Sequence, residues 1–210
     1  MFGTKILEEK KSKFNGNLRV VRSFGLGTYI QANGLTQSGG VVEMIWKSTL
    51  HQILDSRFKI HNVLILGLGG GTVAKLIHKN WPEAKITGVD IDSEMVDLGK
   101  KYLGLDKVKV DIKITDASNI PNYPNHPNQK YDLVIVDLYN GDQFPKKFET
   151  KNYIHLVRSF LVSKGVAIFN RLYYKEKKVL AENFGKKLKK VFSNVEYYYP
   201  VTNLMFLCSK

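Results

Sequence analysis

The apolar run Val63–Leu66 enters Gly67-Leu68-Gly69-Gly70-Gly71-Thr72 with no spacer, and the helix-spaced residues Val73, Leu76 and Ile77 follow at once. A chain that turns from strand to helix on glycines has few folds open to it. Glycine admits left-handed backbone and lets a ligand approach the main chain with no side chain in the way. Strand–helix alternation then continues. Ile86–Val89, Val108–Ile114, Leu133–Val136 and Val166–Phe169 read as strands. Met95, Leu98 and Tyr102 mark one intervening helix, Tyr153, Leu156, Val157 and Phe160 another, and Leu180, Phe184, Leu188 and Val191 a last long one. Val195–Tyr199 and Asn203–Cys208, around Pro200, read as a closing antiparallel pair. Repeated β–α units predict an α/β, Rossmann-like domain, with a mostly parallel seven-stranded sheet and helices on both faces.

The first forty residues follow another rule. Leu18–Phe24, Thr28–Ala32 and a piece near Leu35–Gln37 are strands broken by Gly25, Gly27 and Gly34. Val42, Ile45, Trp46, Thr49, Leu50 and Ile53 then predict an amphipathic helix to about Asp55. The expected division is a β segment over 1–40 and the Rossmann-like domain over 41–210. Prolines 121, 124 and 127 predict a non-helical, semi-extended loop between the third and fourth strands of the domain, with His126 as a solvated loop residue.

Composition narrows the setting. No apolar run approaches the ~18 residues of a spanning helix. The N-terminus lacks a signal-like apolar core, and the one cysteine, Cys208, excludes an internal disulfide. The expectation is a cytoplasmic protein with no membrane association. The net charge of +13 is concentrated in residues 145–210, with 14 basic and 4 acidic side chains. Lysines outnumber arginines 27 to 5, and lysine lacks the fork that grips phosphate bidentately. Nucleic acid is therefore an open partner but not the favoured one, and Phe184 and Leu188 are expected on the buried stripe of the basic helix.

The chemistry sits after the strands. Asp90, with Ile91 beside it, ends the second domain strand nineteen residues after Gly71, where a carboxylate accepts from a ribose diol. A dinucleotide motif needs glycine at 72, where Thr72 stands. The G-x-G-x-G spacing of Gly67, Gly69 and Gly71 suits an adenosylmethionine-type ligand with no pyrophosphate. Asp116 and Ala117, after the third strand, are placed to meet an adenine amino group.

The runs VLILGLGGGT, ITGVDID, KKYLGL, ITDASNI, YDLVIVDLYNGDQFP and LVSKGVAIFN resemble the spermidine/spermine synthase-like branch of the class I S-adenosylmethionine-dependent transferases, and GLTQSGGVVEM falls where that branch has its glutamine-bearing β segment. The resemblance implies that Gly67, Gly69 and Gly71 line the cofactor, Asp90 holds the ribose, and Asp116 with Ala117 meets the adenine. It further implies that Asp137 faces the reacting end and Gln37 closes over it. Three departures are visible. Gly70 stands where aminopropyltransferases carry an aspartate, Val41-Val42 replaces Tyr-His, and Asn140 replaces the second aspartate of D-S-S-D-P.

These losses favour methyl transfer from S-adenosylmethionine to an unidentified small-molecule acceptor. Aminopropyl transfer from the decarboxylated form is the alternative, and a nucleic-acid methyltransferase or a binding protein without turnover stands behind both. Asp137 is the expected catalytic residue, with Tyr139, Asn140, Asp142 and Glu43 shaping the acceptor side. No metal is expected, although Asp137, Asp142 and Asn170 all occupy loop positions. Trp46 is expected to be a packing residue. Val20, Val21, Phe24, Tyr29 and Ile30 lie on a segment too short to enclose a core of its own, which predicts a homodimer through the β segment and the Val42–Asp55 helix.

Overall fold

The computed structural model describes residues 3–54, 59–122 and 129–210. Two sheets form. The N-terminal sheet is an antiparallel meander of β1 (Lys5–Ser12), β2 (Gly16–Ser23), β3 (Gly27–Ala32) and β4 (Leu35–Gly39). The larger sheet contains β5 (Asn62–Leu66), β6 (Lys85–Asp90), β7 (Val110–Ile114), β8 (Tyr131–Val136), β9 (Leu161–Leu172), β10 (Asn194–Tyr198) and β11 (Asn203–Ser209). Its spatial order is β10-β11-β9-β8-β5-β6-β7, with β5 to β9 parallel and β11 antiparallel to both of its neighbours, β9 and β10. This is the doubly wound, class I methyltransferase-like arrangement expected from the sequence.

The order follows from the residues. Val63–Leu66 and Leu133–Val136 are 0% exposed, as strands covered on both faces must be. Helices α4 (Lys151–Phe160) and α5 (Lys177–Leu188) cover one face through Ile154, Val157, Phe184 and Leu188. Helices α1 (Gly40–Leu54) and α2 (Thr72–Asn80) cover the other through Trp46, Leu50, Val73 and Ile77. Strand order reverses between β5 and β8, with β6 and β7 laid to one side of β5 and β8 and β9 to the other, which opens a crevice at the carboxyl ends of those parallel strands.

The N-terminal sheet is tied to α3 (Ser93–Leu103). Leu18, Val20, Ile30 and Ala32 pack on Met95, Leu98 and Leu103. Asp92 caps α3 by accepting from the amides of Glu94 and Met95, and it also accepts from Ser12 Oγ and Asn15 Nδ2, both at 2.6 Å. Val20, Val21, Tyr29 and Ile30 are thus buried within one chain, while Phe24 stays 84% exposed. These four side chains are covered by the chain's own helix and sheet, so their burial carries no argument for or against the expected homodimer.

Other expectations are corrected. β1 was not foreseen, because its KILEEKKS sequence lacks apolar alternation. It is an edge strand held by β2 and by Glu8, whose carboxylate meets Lys101 and Tyr102 of α3. The proline-bearing segment begins as a 3-10 turn, Ala117–Asn122, with Pro121 inside it. Such a turn tolerates proline because it lacks the long i−4 ladder. Pro124, His126 and Pro127 lie outside the described residues, as does Asp55. Leu180 is 51% exposed, so the buried stripe of α5 runs through Lys177, Ala181, Phe184 and Leu188 instead.

Candidate active site

A cleft of about 410 Å³ follows the carboxyl edge of the large sheet, a size suited to a nucleoside-bearing ligand. Its floor is the glycine turn. Gly67 has φ +92°, and a Cβ there would stand 2.1 Å from the carbonyl oxygen of Asp137. Only glycine lets β5 pass so close to the strand end beside it. The turn is pinned from above by the N-terminal sheet, since the Gly70 amide donates to Ser38 Oγ at 2.7 Å and the Gly39 amide to Thr72 Oγ1 at 2.7 Å.

Asp90 ends β6 and lines the cleft. It accepts from the amide of Gly69 at 2.6 Å and of Asp92 at 2.9 Å. The Ile91 amide also bonds to this carboxylate, which leaves acceptor capacity for a ribose hydroxyl on the cleft side. Burial pushes the carboxyl up to about 6, against the lowering effect of these amides. Ile91, Ala117 and Asp116 line the same end. Asp116 is not free, for it accepts from Ser118 and pairs with Lys147. Burial alone would raise its carboxyl, but the Lys147 and Ser118 hydrogen bonds outweigh that and hold it below the usual range. An adenine amino group would share this carboxylate with Lys147, a residue sequence reasoning did not single out.

Asp137 follows β8 at mid-cleft. Its Oδ1 accepts from Asn170 Nδ2 at 2.8 Å and its Oδ2 from Trp46 Nε1 at 2.9 Å. Burial raises its carboxyl, while the two donors pull it back. The network continues, since Asn203 Nδ2 donates to Asn170 Oδ1 at 2.7 Å and Thr202 Oγ1 donates to Asn203 Oδ1 at 3.2 Å. Trp46 is therefore more than packing. Asn170, weighed from sequence only as a metal ligand, instead aims an N–H at the carboxylate. Its place at the carboxyl side of β9, next to β8, was the signal that could have shown this role. Among the described residues no group of three metal-ligating side chains gathers.

The acceptor-side expectations divide. Gln37, Tyr139 and Asn140 line the cleft. Gln37 Nε2 donates to the Gly141 carbonyl at 3.2 Å, drawing β4 to the loop after β8. The Tyr139 hydroxyl accepts from the Leu172 amide at 2.7 Å, and burial raises its pKa. Glu43 and Asp142 do not line the cleft. Glu43 is exposed in the first turn of α1, on the solvent side of that helix. Asp142 pairs with Lys177 at 2.9 Å, and that hydrogen bond holds its carboxyl below the usual range.

The basic third is also less open than its composition suggests. Arg171 is 5% exposed, bonded to Glu149 at 2.7 Å and stacked over Phe144 and Phe184. Lys177 is 8% exposed. Neither is available to a phosphate backbone, and Phe184 and Leu188 are buried as expected.

Comparison with known proteins bears on this geometry. The family described as spermine/spermidine synthase domain matches residues 40–205. Spermine synthase of Saccharomyces cerevisiae is 26% identical, over 92% of this chain and 68% of its own length. Polyamine aminopropyltransferase 1 of Aquifex aeolicus is 27% identical, over 94% of this chain and 71% of its own. A crystal structure of spermidine synthase in complex with the transition-state analogue AdoDATO superposes with a TM-score of 0.81 at 18% identity, covering 98% of this chain and 74% of that one. The chain is thus shorter than each of these relatives.

Proposed function

Because the chain belongs to the spermine/spermidine synthase domain family, we propose that it transfers an aminopropyl group from decarboxylated S-adenosylmethionine to the nitrogen of an amine. The observation that carries this reading is the likeness, over more than nine-tenths of the chain, to enzymes named as aminopropyl transferases and spermine synthases. The preference for methyl transfer, drawn from three departures in the sequence, finds no support among these relatives.

The donor supplies a sulfonium whose carbon–sulfur bond is poised to break. The chain supplies alignment, which accounts for a large part of the rate in such a displacement. In this reading the glycine turn and Asp90 hold the nucleoside, and Asp116 with Lys147 borders the base. Asp137 stands where the acceptor nitrogen enters, and burial, which raises its carboxyl above the usual range, makes it a better proton acceptor than an exposed aspartate. A nitrogen–carbon bond forms as the carbon–sulfur bond breaks, the sulfur leaves as a neutral thioether, and the ammonium proton passes to Asp137 or to water. Trp46 and Asn170 keep the carboxylate turned to that point.

Gly70 bears on the donor. A Cβ at 70 would lie 2.9 Å from Ile30 Cδ1 and from Leu103 Cδ1. The place of the family's aspartate is bounded by Ile30, Leu103 and Ser38, and the cleft's carboxylates are instead Asp90, Asp116 and Asp137. Incubation with decarboxylated S-adenosylmethionine and a set of amines tests the reading. It predicts release of methylthioadenosine that depends on the amine, and no such release with any amine overturns it.

A further inference from the structure

The cleft is electrostatically lopsided. Among the described residues, three carboxylates line it, and they follow β6, β7 and β8 in order, as Asp90, Asp116 and Asp137. The end beyond Asp137, toward β9 and β11 and under α1, holds no other. Its walls include Val41, Val42 and Leu172, and the polar side chains there, Gln37, Tyr139, Asn140, Asn170, Thr202 and Asn203, are all uncharged. Both oxygens of Asp137 already hold a donor. The carbonyl oxygen of Asn203 is taken by Thr202. The nearest further acids do not serve, because Asp142 is neutralised by Lys177 and Glu43 is on the solvent side of α1.

We infer that this end takes an amine with one cationic centre, the attacking nitrogen, on an apolar or neutral body, and that it disfavours diamines and longer polyamines. The inference rests on the aminopropyl-transfer reading and names its acceptor class. An amine entering along Val41, Val42 and Leu172 places its ammonium beside Asp137, where charge is balanced. A second ammonium four carbons away would lose part of its hydration against half-buried valines and amides, with no opposite charge to offset the loss. Uncompensated burial of a charge is among the most unfavourable events in recognition. Amide carbonyls solvate an ammonium but do not neutralise it.

n-Butylamine and 1,4-diaminobutane share a carbon chain and differ by one charge, which makes them the discriminating pair. Calorimetry is done on the full chain saturated with methylthioadenosine, so that the nucleoside half is filled and turnover is not required. The expected result is at least tenfold tighter binding of n-butylamine, with a further gain for n-hexylamine. Asn140→Asp, an isosteric change at an exposed position, is expected to reverse the preference by restoring a carboxylate to the acceptor end. Equal or tighter binding of the diamine by the unmodified chain overturns the inference, and so does an absence of binding by any of the three amines. Release of methylthioadenosine from decarboxylated S-adenosylmethionine is followed in parallel. If the monoamines bind as expected and no release occurs with any amine, the transfer reading fails while the charge preference of the cleft stands. If release occurs and diamines are the better acceptors, the transfer reading stands and the inference fails.

Discussion

The indole Nε1 of Trp46 donates to Oδ2 of Asp137 at 2.9 Å, joining the first helix to the end of β8 across ninety-one residues of sequence. Trp46 is wholly buried, so this N–H has no water to fall back on, and the carboxylate is fixed by a group that cannot easily swing away.

Trp46→Phe keeps a ring at this position and removes the donor. Asp137, already raised by burial, loses one of two hydrogen bonds that favour its charged form and moves higher still. Activity that needs the carboxylate is present above its pKa and lost as pH falls through it, so the acid limb of kcat/KM moves to higher pH. A hydrogen bond to a charged group contributes ~1.5–3 kcal/mol, which corresponds to a loss of roughly tenfold to a hundredfold near neutral pH. An unchanged pH profile in a variant that folds normally contradicts a positioning role.

Asp90 gives a second pH signature. Its carboxyl is raised by burial from 3.8 to about 6. Between those values the folded chain holds a proton that the unfolded chain does not. The group therefore contributes stability that is fully present below 3.8 and lost as pH rises through about 6. Nucleoside binding has the opposite sense, because two ribose hydroxyls donate to the ionised form. Affinity for methylthioadenosine is expected to be flat above about 7 and to fall toward tenfold per pH unit well below 6, one proton being taken up for each ligand lost. Asp90→Asn is expected to bind weakly with no such slope. Titration calorimetry across this range checks both statements.

The glycine turn was legible because its chemistry is local. A strand, closely spaced glycines and a carboxylate at the next strand end each follow from backbone reach, and Gly67, Asp90 and Asp137 line one cleft as their positions required. What failed to show were directions set by packing. Nothing in EEKK marks β1, since its pairing energy comes from β2 and its charges are used by α3. Glu43 and Asp142 are acids near the site in sequence, but the face of α1 and the reach of Lys177 turn both away. Trp46 fits the apolar stripe of its helix, and a stripe position carries no sign of where an indole N–H will point. The burial of Arg171 was not legible either, because its stacking partners, Phe144 and Phe184, come from other segments of the chain.

Gly70→Asp, which restores the acid of the aminopropyltransferases, is expected to destabilise the chain rather than improve it. The new side chain would displace Ile30 and Leu103 and bury a charge between them. Overpacking alone costs about 1–3 kcal/mol, and the buried carboxylate adds to that. Thermal denaturation should show a clear fall in Tm, with no gain in donor affinity in the fraction that folds. A variant of unchanged Tm would mean that the turn has room that its contacts deny.

Asp92 links the N-terminal sheet to the site. Asp92→Ala removes the cap of α3 and leaves Ser12 and Asn15 without their acceptor. A lost cap costs ~1 kcal/mol and a lost hydrogen bond to charge about 1.5–3 kcal/mol, so urea unfolding should report a loss of about 3 kcal/mol. Because Ser38 holds the glycine turn from the same sheet, nucleoside affinity should fall with it. Asp92→Asn, which can still cap, should recover part of the stability.

Product identity tests the central claim most directly. The chain is incubated with decarboxylated S-adenosylmethionine or with S-adenosylmethionine, each with the same amines, and the nucleoside products are separated by chromatography. Aminopropyl transfer predicts methylthioadenosine from the decarboxylated donor, increasing with amine concentration and abolished in Asp137→Ala. Release of S-adenosylhomocysteine from the intact donor, with no methylthioadenosine from the other, would contradict the account.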